Sequence, residues 1–145
     1  MTASRKSIVT ALLAKLAASY SFGAKGRRNR SPETIAAVGA PALLLLRVAE
    51  EHEVKALGLP PIRTIKLVAA VYIDCSDDEN AIPDDIISDI HDAFDAALAA
   101  DDPVSGRCTL GGLCYSAKIS GTSEGAPGDM TGRGLSLIPI DIVIP

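Results

Sequence analysis

Hydrophobic positions between residues 4 and 18 recur at helical spacing. Ile8, Val9, Leu12, Leu13 and Leu16 share one narrow stripe, which predicts an amphipathic helix. The basic, glycine-containing stretch from Ser21 to Arg30 ends that pattern and predicts a loop or a short edge strand. Ser31-Pro32-Glu33 then sets a capping serine before a proline at the first helical position, so residues 32–38 are expected to form a single turn. Pro41 opens an apolar run from Leu43 to Val48, short enough for a strand buried on both faces. Gly58-Leu59-Pro60-Pro61 turns the chain. After it, Ile65, Leu67, Ala69, Val71 and Ile73 alternate with Lys66, Val68, Ala70 and Tyr72, giving a long strand with an apolar core face and a mixed outer face.

A second helix is predicted from about Pro83 to Ala100. Pro83 suits the first helical position, and Asp84 and Asp85 suit the positive end of the helix dipole. Its buried stripe is Ile86, Ile87, Ile90, Phe94, Ala97 and Leu98. Asp101 to Gly106 reads as a surface loop. The last stretch reads as a hairpin opened by the glycine pair of Cys108-Thr109-Leu110-Gly111-Gly112-Leu113 and turned at Pro127-Gly128-Asp129. In its first strand Leu113, Tyr115, Ala117 and Ile119 are expected on one face, and Cys114, Ser116, Lys118 and Ser120 on the other. In the second strand Ile138, Ile140, Ile142 and Ile144 share a face. The order helix, strand, strand, helix, strand, strand has no βαβ repetition. It predicts an α+β fold: an antiparallel β-sheet of about four or more strands packed with two main helices.

Composition supports a single domain spanning residues 1–145: 48% of residues are hydrophobic and 22% charged. With no Trp, two Phe and three Tyr, the core falls to Ile, Leu, Val and Ala. No apolar run approaches the length of a membrane span. Arg5 and Lys6 ahead of Ile8-Val9 give a superficial likeness to a signal peptide, but Lys15 interrupts the segment, and it reads as an ordinary helix of a cytoplasmically made protein. Three Cys are too few, and odd in number, for a secreted disulfide framework. Their thiols are expected to start reduced. Cys108 and Cys114 could pair only with Cα atoms within roughly 7 Å, and any bridge in a mature particle would more readily link neighbouring subunits.

Charge is strongly segregated. Residues 1–30 hold seven basic side chains (Arg5, Lys6, Lys15, Lys25, Arg27, Arg28, Arg30) and no acid, while residues 74–102 hold eleven acids and no Lys or Arg. Two solvated faces would satisfy this pattern. A basic face of one copy meeting the acidic face of the next would satisfy it too, and such a head-to-tail contact closes into a ring when the rotation permits.

No reaction centre is discernible. His91 and Asp95 stand one helical turn apart, but two ligands do not make a metal site. The Asp74, Asp77, Asp78 and Glu79 cluster lacks calcium-loop spacing. Gly111-Gly112 has neither the Lys-Ser/Thr of a P-loop nor the three-glycine dinucleotide pattern; it reads as backbone freedom or as close approach of another chain. No cysteine has an evident histidine partner. Lys25-Gly26-Arg27-Arg28-Asn29-Arg30 is the best nucleic-acid candidate, with Tyr20 and Phe22 as stacking platforms, but the chain as a whole is acidic.

Five motifs in order carry a resemblance: Pro41-Ala42-Leu43; Gly58 to Pro61 leading to Val71-Tyr72; a helix from Pro83 to Leu98; Thr109-Leu110-Gly111-Gly112-Leu113; and Pro127-Gly128-Asp129 followed by Pro139-Ile140 to Pro145. From about Pro41 onward the chain resembles the tail terminator (tail completion) proteins of tailed bacteriophages and prophages. It departs from that pattern in having Ala40 ahead of Pro41, no Trp, and Ile87-Ser88 in the second helix. The resemblance implies a non-enzymatic virion protein without cofactors, made in the host cytoplasm. Such a protein forms a homohexameric ring that caps the head-proximal end of the tail tube, stops its polymerisation and offers a docking surface to the head's connector proteins. Implied partners are copies of itself, the major tail tube protein, head completion proteins and, in a contractile tail, the sheath protein. DNA would pass through the lumen without specific binding, and no membrane is involved. The candidate contact residues are Arg27, Arg28 and Arg30 on the basic side, Asp77, Asp78, Asp84 and Asp85 on the acidic side, and Thr109, Leu110, Gly111 and Gly112 at the hairpin start. Two rival readings stay open: a different neck or head–tail connector protein, and a small cytosolic metal- or ligand-binding enzyme built around the acidic cluster and His91.

Overall fold

Two runs in the sequence place an aliphatic residue at every second position, Ile65 to Ile73 and Ile138 to Ile144, and they pair with each other at the centre of the sheet. The computed structural model describes residues 3–28, 41–75, 80–126 and 133–144. The elements are α1 (Arg5–Ser19), β1 (Ala24–Gly26), β2 (Ala42–Glu53), β3 (Ile62–Asp74), α2 (Pro83–Ala97), β4 (Ser116–Ile119), β5 (Glu124–Ala126) and β6 (Arg133–Ile144). The strand order is β1-β2-β3-β6-β4, with β5 also on β6. The register sets Ile65 opposite Ile142, Leu67 opposite Ile140 and Ala69 opposite Ile138. The two aliphatic stripes therefore merge into one face, and α1 and α2 cover it.

The fold is α+β, with two helices on one face of the sheet. The sheet is mixed rather than purely antiparallel: β1 runs parallel to β2, with Ala24 opposite Ala42 and Gly26 opposite Leu44. A parallel pair needs a long crossover, which the connection between Gly26 and Ala42 supplies. The amide of Gly23 also donates to the Pro41 carbonyl at 2.9 Å, tying the two strand starts together. The expected turn over residues 32–38 lies outside the described residues. So does the Pro127-Gly128-Asp129 turn.

Pro139 sits inside the sheet, where proline is normally excluded. Its carbonyl accepts from the Ser120 amide at 3.1 Å. In an antiparallel ladder a residue's N–H and C=O point to the same side. The missing N–H of Pro139 thus faces the break between β4 and β5, and no ladder bond to β3 is lost.

Helix α1 begins at Ser4, whose hydroxyl accepts from the Ser7 amide at 3.1 Å. It buries Ile8, Val9, Leu12 and Leu16, the expected stripe. Helix α2 has no side-chain cap and starts on Pro83, with Ile90 and Phe94 fully buried. Each such burial is worth about 1.5–3 kcal/mol relative to exposure. Phe22 packs against Phe94 (ring centroids 6.1 Å) and Tyr20 against Phe22 (5.6 Å). These two aromatics are therefore packed on the core and are not free platforms for nucleic-acid bases. A second, smaller buried cluster of Ala42, Leu44 and Ala70 lies on the opposite face of the sheet.

The strand expected from Leu113 onward is shorter and partly misaligned. Cys108 to Tyr115 form a loop, and β4 begins only at Ser116. Cys114 and Ala117 are both buried while Tyr115 is 56% exposed, so burial does not follow the expected grouping of Tyr115 with Ala117. The cause is a left-handed turn at Leu110, Gly111 and Gly112 (φ 50°, 72° and 92°), which rotates the chain before the strand starts.

Candidate functional site

The Thr109–Gly112 loop is held from within the chain. One Asp101 oxygen accepts from the Thr109 amide (2.7 Å) and hydroxyl (2.9 Å), and the other accepts from the Gly111 amide (3.0 Å). The Gly112 amide in turn donates to the Thr109 hydroxyl at 3.0 Å. These donors, first Gly111 and then Thr109, pull the Asp101 carboxyl down to about 2. No atom lies within 4 Å of where a Cβ would stand on Gly111 or Gly112, so both glycines answer to their positive φ and not to close approach within the chain. The amides of Thr109 and Gly111 are thus spent on Asp101, and that of Gly112 on Thr109. Leu110 is buried beneath the loop.

Arg27 and Arg28 follow β1 directly and are exposed. Arg27 reaches Thr10 of α1 at 3.4 Å, so it lies on the helix-bearing face. Asp84 and Asp85 are exposed in the first turn of α2. Arg30, Asp77 and Asp78 lie outside the described residues. The two charge runs do not neutralise each other among the described residues. From the basic run, Arg5 pairs with Glu50 of β2 (Nη2–Oε2 2.9 Å), and His52 Nε2 is 2.9 Å from the same oxygen. The hydrogen bond from Arg5 holds the Glu50 carboxyl below its ordinary range and raises the guanidinium in return. From the acidic run, Asp74 meets Arg133 at 3.5 Å. Asp84, Asp85, Asp89, Asp92 and Asp95 line α2 exposed, with no cation in ion-pair range among the described residues.

No group of three His, Cys, Asp or Glu side chains converges as a metal site among the described residues. His91 is half-buried and Asp95 exposed on α2. All three thiols are free and buried, and burial pushes Cys114 up to about 11, with Cys108 and Asp101 adding to the effect. None of the three is presented at the surface of the chain. No described helix is long and apolar enough to cross a membrane.

A surface the sequence did not disclose lies on the opposite face of the sheet. Ile62, Arg107, Tyr115, Ser116, Lys118 and Val143 line a groove of about 410 Å³. Its residues come from three strands and a loop far apart in sequence. Tyr115, 56% exposed, is the feature that marks the place. A second, shallower cleft of about 530 Å³ borders the β2 bulge, between Arg5, Arg47, Val48, Ala49 and Glu50.

No protein-family model and no curated protein matches the chain. Among solved structures, a chain in the virion of a native gene transfer agent particle shares the fold. The TM-score is 0.51 and the identity 12%, over 94% of this chain and 93% of that one.

Proposed function

We propose that the chain is a structural virion protein of a phage-like particle, and that it forms the ring closing the head-proximal end of a tail tube. The observation that carries the reading is fold likeness over nearly the full length of a chain from a gene transfer agent virion. Two others support it. The motif order from Pro41 to Pro145 resembles tail terminators, and five aspartates on α2 have no cation in ion-pair range among the described residues. In the ring, Arg27 and Arg28 of one copy face Asp84 and Asp85 of the next, with Arg30, Asp77 and Asp78 in the same two runs. Thr109 to Gly112 form a rigid loop available at the rim. Exposed ion pairs contribute about 0–1 kcal/mol each, so apolar packing supplies the adhesion and the charges set orientation. The ring's partners are further copies of itself, the tail tube protein and the head's connector proteins, and its work needs no catalysis.

The test is genetic and morphological. Deleting the reading frame from its parent particle is expected to give overlong, unsealed tails and heads without tails in electron micrographs. Joined particles of normal tail length would refute the assignment. Arg27→Glu with Arg28→Glu is expected to reproduce the defect partly, and Asp84→Lys with Asp85→Lys to relieve it.

A further inference from the structure

The two faces of the sheet carry opposite charge polarity. On the helix-bearing face, cations sit at the β1 side (Arg27, Arg28) and acids on α2, which packs over β3 and β6. On the opposite face the signs are reversed. Glu51 and Glu53 stand on β2, whereas Lys118 of β4 and Arg107, in the loop before it, stand at the other side. Arg107 has no carboxylate in ion-pair range among the described residues, and Lys118 only shares a cross-strand row with Asp141, which already meets Lys66 at 3.9 Å. The partners of Glu51 (Lys66, 3.6 Å) and Glu53 (Lys55, 3.7 Å) are loose and solvent-facing, the kind of pair that exchanges at little cost.

The second half of β2 is also an open edge. β1 pairs only with Ala42 to Leu44, and no described strand pairs that edge beyond them. The register slips between Arg47 and Ala49, and the bulged Val48 is 66% exposed. Running towards the β4 side, the groove combines apolar Ile62, Tyr115 and Val143 with the cations Arg107 and Lys118; its Ile62, on β3, is the cross-strand partner of Glu53.

We propose that this groove is the socket for the open half of β2 of a second copy of the chain. Val48 enters between Ile62, Tyr115 and Val143, and Glu51 and Glu53 come opposite Arg107 and Lys118. The inference rests on the ring reading and adds a second contact to each junction, on the face away from the helices. With signs alternating on both faces, a copy placed side by side in the same orientation satisfies both contacts, whereas one rotated within the plane of the sheet meets like charge on both. Tyr115 is the anchor type that dominates such contacts.

Sedimentation velocity on the full chain tests it. Arg107→Glu with Lys118→Glu is expected to shift assembly to about tenfold higher concentration, and Glu51→Lys with Glu53→Lys to do the same. An equal mixture of the two variants is expected to assemble like wild type, because each reversed socket then meets a reversed plug. Independently, the Val48→Cys, Tyr115→Cys double variant under mild oxidation is expected to give a covalent ladder that neither single variant gives. Wild-type rings unaffected by the reversals, or no ladder, would overturn the socket and leave the ring standing. A wild-type chain that stays monomeric at every concentration would contradict the ring reading and the socket together.

Discussion

Ala42 to Leu45, at the start of β2, are buried on both faces of the sheet, whereas Arg47 to Glu53 on the same strand carry three glutamates, an arginine and a histidine. The backbone is equally extended in both halves. What differs is cover: the first half has β1 beside it and two buried clusters around it, and the second has an edge that no described strand pairs, a bulge and charge. A bulge and charged side chains are how an open edge avoids indiscriminate pairing. On the proposed socket contact, one strand would serve stability in its first half and selective contact in its second, and substitutions in the two halves should separate these effects.

The largest effect is expected from Leu43→Ala, which empties a fully buried position facing the helices. The cost should be about 2–5 kcal/mol, read by chemical denaturation. Leu44→Ala probes the other face, and a cost below about 1 kcal/mol there would show that the second cluster is not a true core.

Next comes Asp101, which holds the loop beside the groove. Asp101→Asn is expected to speed hydrogen exchange at Thr109 and Gly111 while leaving β3 and β6 protected. Its folded value of about 2 is below the ordinary 3.8. The stabilisation it gives is therefore complete above the ordinary value and is lost as pH falls from about 4 towards 2. Thermal melts should show wild type losing more stability than Asp101→Asn across that window, and equal losses would mean that the carboxylate does not brace the loop.

The smallest effect on stability belongs to Val48→Ala, within about 0.5 kcal/mol. A larger loss would place Val48 in the core of the monomer and break the contrast between the halves.

Strands β3 and β6 were legible because burial on one face writes a period of two into the residues, and α2 because Ile86, Ile90, Phe94 and Ala97 follow the helical period. Strand β1 fits the short edge strand that was one of two expectations for Ser21 to Arg30, but β1 and β5, three residues each, carry no period of their own, since a short strand owes its form to the partner it lies against. Tyr115 does not share the burial of Ala117, with which it was grouped, because the turn at Leu110 is braced by Asp101, a contact that alternation does not encode. Charge segregation could be read directly. The groove could not, because Ile62, Arg107, Tyr115 and Val143 meet only once the sheet is assembled.

Native mass spectrometry of the purified full-length chain tests ring formation most directly, since the ionised assembly keeps its stoichiometry. The expected result is one closed species, six copies by the resemblance to tail terminators, that weakens when Arg27→Glu and Arg28→Glu are combined. A monomer across all concentrations, or an open-ended series of sizes with no preferred number, would contradict it.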